Sequence, residues 1–162
     1  MIFVTVGSQK FQFNRLLKKV DELVENGKII EEVFAQIGTS DYKPKNYKYK
    51  EFMTQEEFNN YLDKADIIIT HAGTGVIVNA IKKGKKVLGV PRLAKYGEHV
   101  DDHQIQLIKE FAEMNFISSV YDIEKIEDEM GKIKKKKFNK YKSNTEVMLD
   151  DITKFIRGKN NV

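Results

Sequence analysis

Short apolar runs alternate along this chain with stretches whose apolar residues recur every three or four positions. Residues 2–6 form a β-branched and aromatic run that stops at Gly7, which predicts a buried strand and an immediate turn. Phe13, Leu16, Leu17, Val20, Leu23 and Val24 share one helical face, which predicts a helix from 11 to about 24, ended by Gly27. A second strand is expected at 33–37. Residues 47–52 alternate Tyr47 and Tyr49 with Lys48 and Lys50, the pattern of a half-exposed edge strand. Thr54 and Glu57 are spaced as a capping box that opens a helix to about residue 64. Residues 66–70 read as the next strand. A glycine-rich turn follows, and a helix runs to about 83, where Gly84 closes it. Residues 86–90 make another strand, halted by Pro91. A polar loop over 92–102 leads into a helix to about 114, 116–120 is the last strand, and a closing helix is expected from 144 to about 157.

Strands separated by helices predict one α/β domain over 1–162, Rossmann-like, with a mostly parallel six-stranded sheet and helices on both faces. A chain of 162 residues is long enough for a real core, and 41% apolar content belongs to a globular protein. No stretch approaches the roughly 20 apolar residues that span a bilayer, and residues 1–9 lack the basic flank of a signal peptide. The absence of cysteine excludes disulfide and thiol chemistry and fits a reducing cytoplasm. A net charge of +4 permits an acidic partner surface without calling for nucleic acid. The basic character is concentrated in 132–142, KIKKKKFNKYK, where seven lysines interleave with Ile133, Phe138 and Tyr141. This segment reads either as a solvated linker or helix face, or as one drawn to anionic lipid headgroups in a peripheral membrane contact. No recognition module accompanies it that would point to nucleic acid.

Ligands of an open α/β sheet sit beyond the carboxyl ends of its strands, and three loops there are unusual. In THAGTG, residues 70–75, Gly73 and Gly75 permit close backbone approach, and Thr74 offers a hydroxyl. The helix that starts near Gly75 turns its free N–H groups and positive dipole end toward the same space, which suits a diphosphate. Val78 replaces the third glycine of a dinucleotide fingerprint and no Gly-Lys-Ser/Thr follows, so this is neither that fingerprint nor a Walker loop. Two readings stand: a plain bend between strand and helix, or a phosphate cradle. Gly7, Ser8 and Gln9 present the same device, small residues ahead of a helix N-terminus, and two such turns on one edge face an anion from two sides.

The third loop brings Glu98, His99, Asp101, Asp102, His103 and Gln104 close to a helix start. All three histidines of the chain, His71, His99 and His103, lie in the last two loops. His99 and His103 are four apart, but Val100 stands where a zinc motif has glutamate, so no metal site is expected. Either Asp101 or Asp102 caps a helix in a solvated loop, or His103 and Gln104 form a hydrogen-bonding rim for a polyhydroxylated ligand.

The stretch HAGTGVIVNAIKKGKKVLGVPRLAKYGEHVDDHQ, His71 to Gln104, resembles the signature region of PssE/EpsF-type subunits of bacterial two-part glycosyltransferases. These are similar to the carboxy-terminal, donor-binding half of MurG and to the soluble subunit of the eukaryotic enzyme that adds the second N-acetylglucosamine to a dolichol-linked sugar. FVTVGSQKFQFNRLL, residues 3–17, fits the start of the same half-domain. The resemblance implies half of a GT-B fold that binds a UDP-sugar, with no metal or other cofactor. It implies transfer of a hexose, with galactose expected, to a lipid-diphosphate-linked sugar in capsule or exopolysaccharide assembly. The acceptor half would belong to a membrane-associated PssD/EpsE-type partner, which would hold this cytoplasmic chain at the inner face of the membrane.

Position by position, Gly7, Ser8 and Gln9 match the family's first phosphate-side loop, and Ala72, Gly73, Thr74 and Gly75 match the turn beside the nucleotide. His103 and Gln104 match the pair that reaches the donor sugar. Asn79 stands where MurG-like enzymes keep a glutamate for the ribose hydroxyls. Inverting transfer needs a base at the acceptor hydroxyl, on this chain or its partner. His71, His99 and Glu98 are the candidates here. Helix N-termini aimed at the departing diphosphate would stabilise it electrostatically. Asn79 and the lack of an acceptor half favour an alternative, a non-catalytic accessory subunit that binds and activates its partner.

Overall fold

Ile2, Val4 and Val6 pack into one buried cluster and Phe3 into another, on opposite sides of the first strand. The same division separates Ile67 and Ile69 from Ile68, and Leu88 from Val87. Successive strand side chains point to opposite faces, so a run that is apolar at every position belongs to a sheet covered on both sides. The computed structural model describes residues 1–71, 73–99, 101–142, 147, 150, 151 and 154. Their elements are β1 (Ile2–Thr5), α1 (Asn14–Glu25), β2 (Val33–Gln36), β3 (Lys48–Lys50), α2 (Gln55–Lys64), β4 (Ile67–Thr70) and α3 (Thr74–Lys82). After these come β5 (Lys86–Gly89), α4 (His103–Glu113), β6 (Ser118–Ser119) and α5 (Ile126–Ile133). Short 3-10 turns occupy Ala94–Tyr96 and Ile123–Lys125.

All six strands run parallel, in the order β3-β2-β1-β4-β5-β6, so the sheet is wholly and not merely mostly parallel. Helices α1 and α5 cover one face through Leu16, Leu17, Val20, Ile126, Met130 and Ile133. Helices α2, α3 and α4 cover the other through Leu62, Ile77, Ala80, Ile108 and Phe111. Each such side chain taken fully out of water stabilises the fold by roughly 1.5–3 kcal/mol.

Four local features depart from the sequence pattern. Helix α1 begins at Asn14, not near residue 11, because the backbone N–H of Phe13 donates to Ser40 Oγ at 2.9 Å and that of Asn14 to Gln12 Oε1 at 2.8 Å. The parallel crossover from β2 to β3 contains no helix. Asp21 organises it by accepting from Tyr42 Oη and the N–H groups of Lys45 and Asn46, at 2.6, 2.8 and 2.8 Å. Only half of the capping box forms: Thr54 accepts the Glu57 N–H at 3.1 Å, whereas the Glu57 carboxylate accepts from Lys50 Nζ at 2.8 Å. Helix α5 was not anticipated, although Ile126, Met130 and Ile133 carry its buried spacing.

Helix α5 also changes the basic segment. Ile133 is core, Phe138 packs against the first cluster and Tyr141 against the second. Lys136 donates to Ser118 Oγ at 3.2 Å, and Lys134 pairs with Glu31. The segment is a strap over the amino edge of the sheet, tied down by its apolar residues, and not a free linker. Among the described residues no helix is long and apolar enough to cross a membrane. The closing helix expected over about 144–157 falls, apart from four positions, outside the described residues, as does Ala72.

Candidate functional site

The chain leaves β1 toward β2 on one side and β4 toward β5 on the other. The carboxyl ends of β1 and β4, which are hydrogen-bonded neighbours, therefore flank the point where strand order reverses, the usual ligand position in such sheets. A polar row marks this edge. Gln36, Thr5 and Thr70 close β2, β1 and β4 in register, and all three are buried. Thr5 Oγ1 donates to Gln36 Oε1 at 2.8 Å, and Thr70 Oγ1 donates to the Thr5 carbonyl at 2.8 Å.

Above this row His71 is enclosed by two glycine corners. Its side chain is nearly inaccessible, the residue being 5% exposed. A Cβ on Gly7 would stand 2.7 Å from His71 Nε2, and one on Gly73 would stand 2.6 Å from its Cε1. Gly7 also holds φ at +76°, which a side chain resists. Only glycine at both positions lets the imidazole sit between the corners. Burial first, then the charge of Arg92 and the proximity of His99, push the His71 pKa down to about 3, so the ring is neutral. Six buried side-chain polar atoms lack a hydrogen-bond partner among the described residues, and five of them belong to His71, Thr74 and Arg92. Buried polar groups normally find partners, so their concentration at one edge marks a site.

The corner after β4 leads directly into α3. Gly73 is the N-cap, it has no side chain to cap the first turn, and Thr74 opens the helix. A cavity of about 400 Å³ lies here, lined by Thr5, Gly7, Ser8 and Gln36 from the strand ends, Gly75, Val76 and Asn79 from α3, and Phe52 to Gln55 with Phe58 from the start of α2. Phe52 is 52% exposed, a large ring left at the mouth. A larger hollow of about 700 Å³ lies at the opposite, amino edge, between the α3–β5 turn and the lysine strap. Size is the lesser guide here, because the smaller cavity holds the helix N-terminus, the strand-order reversal and the glycine corner.

The third loop folds inward. Glu98 is 1% exposed and accepts from Arg15 Nε and Nη2 at 3.0 and 3.1 Å and from the Leu93 N–H at 2.9 Å, so its carboxylate braces the loop. Gln104 Oε1 accepts the Arg92 N–H at 3.0 Å. Asp101 accepts the His103 N–H at 3.0 Å, while Asp102, at the N-cap, turns to the Ala94 N–H at 2.9 Å. Asp101 Oδ1 lies 3.4 Å from Nδ1 of both His99 and His103, and the His99 ring packs 5.2 Å from that of Phe11. Ser8 and Gln9 are exposed, and the Gln9 carbonyl accepts from Thr39 Oγ1 at 3.1 Å. The structure thus gathers Gly7, His71 and Gly73 at one point and Ser8, Gly75 and Asn79 along the cavity. It sets His99, His103 and Gln104 apart from that lining.

The expected helix N-terminus after Gly7 is not at the site, because α1 starts only at Asn14, seven residues beyond Gly7, and none of its residues lines the cavity. Gln36 and Phe52 belong to no motif, and Thr5 and Arg92 lie within the two matched stretches without a role assigned to them. The one sequence signal for Thr5, Gln36 and Thr70 is a polar residue near the end of an otherwise apolar strand. Among the described residues, no group of three or more His, Asp, Glu or Cys side chains is placed to hold a metal ion.

Residues 1–157 match the glycosyltransferase family 28 C-terminal domain. The UDP-N-acetylglucosamine transferase subunit ALG13 of Candida albicans is 26% identical over 122 residues, covering 71% of this chain and 39% of that protein. The chain therefore spans well under half the length of that relative. The solution structure of an ALG13 superposes with a TM-score of 0.61 at 17% identity, covering 94% of this chain and 96% of that one. The crystal structure of MurG from Acinetobacter baumannii superposes with a TM-score of 0.57 at 17% identity, over 81% of this chain and 40% of that one. The domain has the architecture of one half of a GT-B glycosyltransferase.

Proposed function

The chain belongs to the glycosyltransferase family 28 C-terminal domain family, and from that premise we propose that it is the donor-binding half of a two-component, UDP-sugar-dependent glycosyltransferase. The observation that carries this reading is the cavity of about 400 Å³ where strand order reverses, walled by the first turn of α3 and the Gly7 corner. Backbone N–H groups at an uncapped helix start favour an anion. The diphosphate would lie there, with the Thr74 hydroxyl beside it. A neutral His71 keeps one ring N–H to donate as the leaving diphosphate gains charge. The exposed Phe52 ring offers a face for the base, and Asn79 an amide for a ribose hydroxyl. His103 would reach the transferred sugar from the neighbouring loop, while Gln104, whose Oε1 holds the Arg92 N–H, would offer only its amide N–H.

Proton abstraction from the acceptor is assigned to the partner chain or to His99. Glu98 is fully engaged by Arg15 and Leu93, and a buried ring with a pKa of about 3 is a weak base. The partner would be a membrane-associated subunit of the PssD/EpsE type that carries the acceptor half and holds this chain at the cytoplasmic face. The named relative is itself called a subunit, which supports a divided enzyme. The proposed reaction is inverting transfer of a hexose, with galactose the first donor to try, to a lipid-diphosphate-linked sugar in capsule or exopolysaccharide assembly. The engagement of Glu98 and the presence of Asn79 favour one second reading, a non-catalytic accessory subunit that binds and activates its partner without turning over donor by itself.

Thermal unfolding with and without UDP tests donor binding. A ligand held at a hundred times its Kd stabilises the native state by about 2.7 kcal/mol. No protection at millimolar UDP, with the chain alone and with its partner, overturns the reading. Sugar transfer assayed with each chain alone and with both separates the alternatives. Transfer by the partner alone, merely enhanced by this chain, establishes the accessory role.

A further inference from the structure

Arg92 lies beneath the Gly7 corner, within the stretch 71–104 but with no role assigned to it there. It is 0% exposed. Its backbone N–H donates to Gln104 Oε1 at 3.0 Å, and its Nη2 donates to the carbonyl of Val6, the residue before Gly7. The guanidinium lies 5.6 Å from the centre of the Phe13 ring, while Nε and Nη1 have no partner among the described residues. Burial lowers its pKa to about 10, with Glu98 acting in the opposite sense, so the group is charged at neutral pH.

Glu98 does not neutralise this charge by contact. Its oxygens accept from Arg15 and from the Leu93 N–H. Arg15, Arg92 and Glu98 together carry one net positive charge. A buried guanidinium without a hydrogen-bonded counter-ion is costly to retain. Its field is also weakly screened where water is excluded. That field reaches His71, whose ring touches the positions of both corner glycines.

We propose that Arg92 is the buried counter-charge for the phosphates at the Gly7 and Gly73 corners, and that it sets the preference for a diphosphate ligand over an uncharged one. It acts without touching the ligand, through its field and through its hold on the Val6 carbonyl, and is a positioning residue. The inference rests on the proposal that a nucleoside diphosphate occupies this cavity.

The test is calorimetric titration of the full chain with uridine, UMP, UDP and inorganic pyrophosphate, for the native sequence and for Arg92→Met, Arg92→Gln and Arg92→Lys. Removing the charge should weaken UDP tenfold or more and UMP less, while uridine stays within twofold. Arg92→Lys should keep the ratio of UDP to uridine affinity within about threefold of native. Arg92→Gln retains a donor for the Val6 carbonyl and decides the matter if Arg92→Met fails to fold. Equal weakening of all four ligands by the neutral variants overturns the counter-charge and leaves a purely structural brace. Unchanged UDP affinity overturns it outright. A native chain that binds pyrophosphate in an Arg92-dependent way, without preferring UDP, upholds the counter-charge and sinks the nucleotide reading instead. A native chain that binds neither UDP nor pyrophosphate sinks both.

Discussion

The corner after β1 and the corner after β4 are built alike in sequence, an apolar strand followed by small residues, yet they do different work. At the second, Gly73 passes straight into α3, whose first turn lines the cavity. At the first, the chain runs on from Gly7 to Asn14 before a helix begins, and Ser40 and Gln12 take the N–H groups at its start. Only one corner therefore offers an anion a helix end. The other supplies shape, since Gly7, like Gly73, closes on the Nε2–Cε1 edge of the His71 ring. A strand-glycine pattern places a turn, but how soon a helix follows it, and so whether a helix end reaches the cavity, is decided by the contacts the intervening residues make.

The sharpest way to break this comparison is to put a methyl group on each corner. Gly7→Ala meets both the His71 ring and a positive φ, and is expected to cost about 2–5 kcal/mol, read by urea unfolding. Gly73→Ala meets only the ring. It should cost about 1–3 kcal/mol and lower UDP affinity further than it lowers stability, because it also displaces the start of α3. Equal effects of both variants on UDP affinity after correction for stability would erase the distinction drawn between the corners.

The joint between them titrates. His71 is held neutral in the native state by burial and by Arg92, with a pKa of about 3 against about 6.5 unfolded. Below pH 6.5 the unfolded chain binds a proton that the folded chain does not. Stability should therefore be complete above that pH and fall by about 1.4 kcal/mol per unit as pH drops toward 3. His71→Asn should show a flatter acid limb, and an unaltered slope would mean that the ring is accessible to protons.

Smaller effects sharpen the contrast. Ser40→Ala removes an acceptor from the start of α1 and should cost about 1 kcal/mol of stability while UDP affinity stays unchanged. Gly75→Ala, with nothing within 4 Å of the added methyl, should shift stability by no more than about 0.5 kcal/mol. Because Gly75 lines the cavity, UDP affinity should fall while stability holds, the reverse of Ser40→Ala.

Much of this was legible in the chain. Ile2 to Val6, Ile67 to Thr70 and Val87 to Val90 are apolar at nearly every position, which is enough to place central strands of a doubly covered sheet. Gly73, Thr74 and Gly75 mark the turn that leads into α3. Ile126, Met130 and Ile133 were equally periodic, but the surrounding acidic and lysine residues hid that helix face. Gln104 was expected in a hydrogen-bonding rim and Glu98 as a candidate base, and both are buried braces, because residue type does not reveal which way a loop side chain turns. Arg92 looked like a loop cation and is the most enclosed charge at the site.

The alternation of strands and helices, the parallel sheet and the two glycine corners can all be read along the chain, since each depends on side-chain period or backbone freedom over a few residues. Which corner brings a helix end to the cavity, why His71 is neutral and where the charge beneath it comes from were settled by packing between distant segments. Those depend on pairings across the fold, Arg92 with the Val6 carbonyl 86 positions away and Arg15 with Glu98 83 positions away. No local pattern encodes them, because a buried polar group takes its state from whatever packing brings beside it.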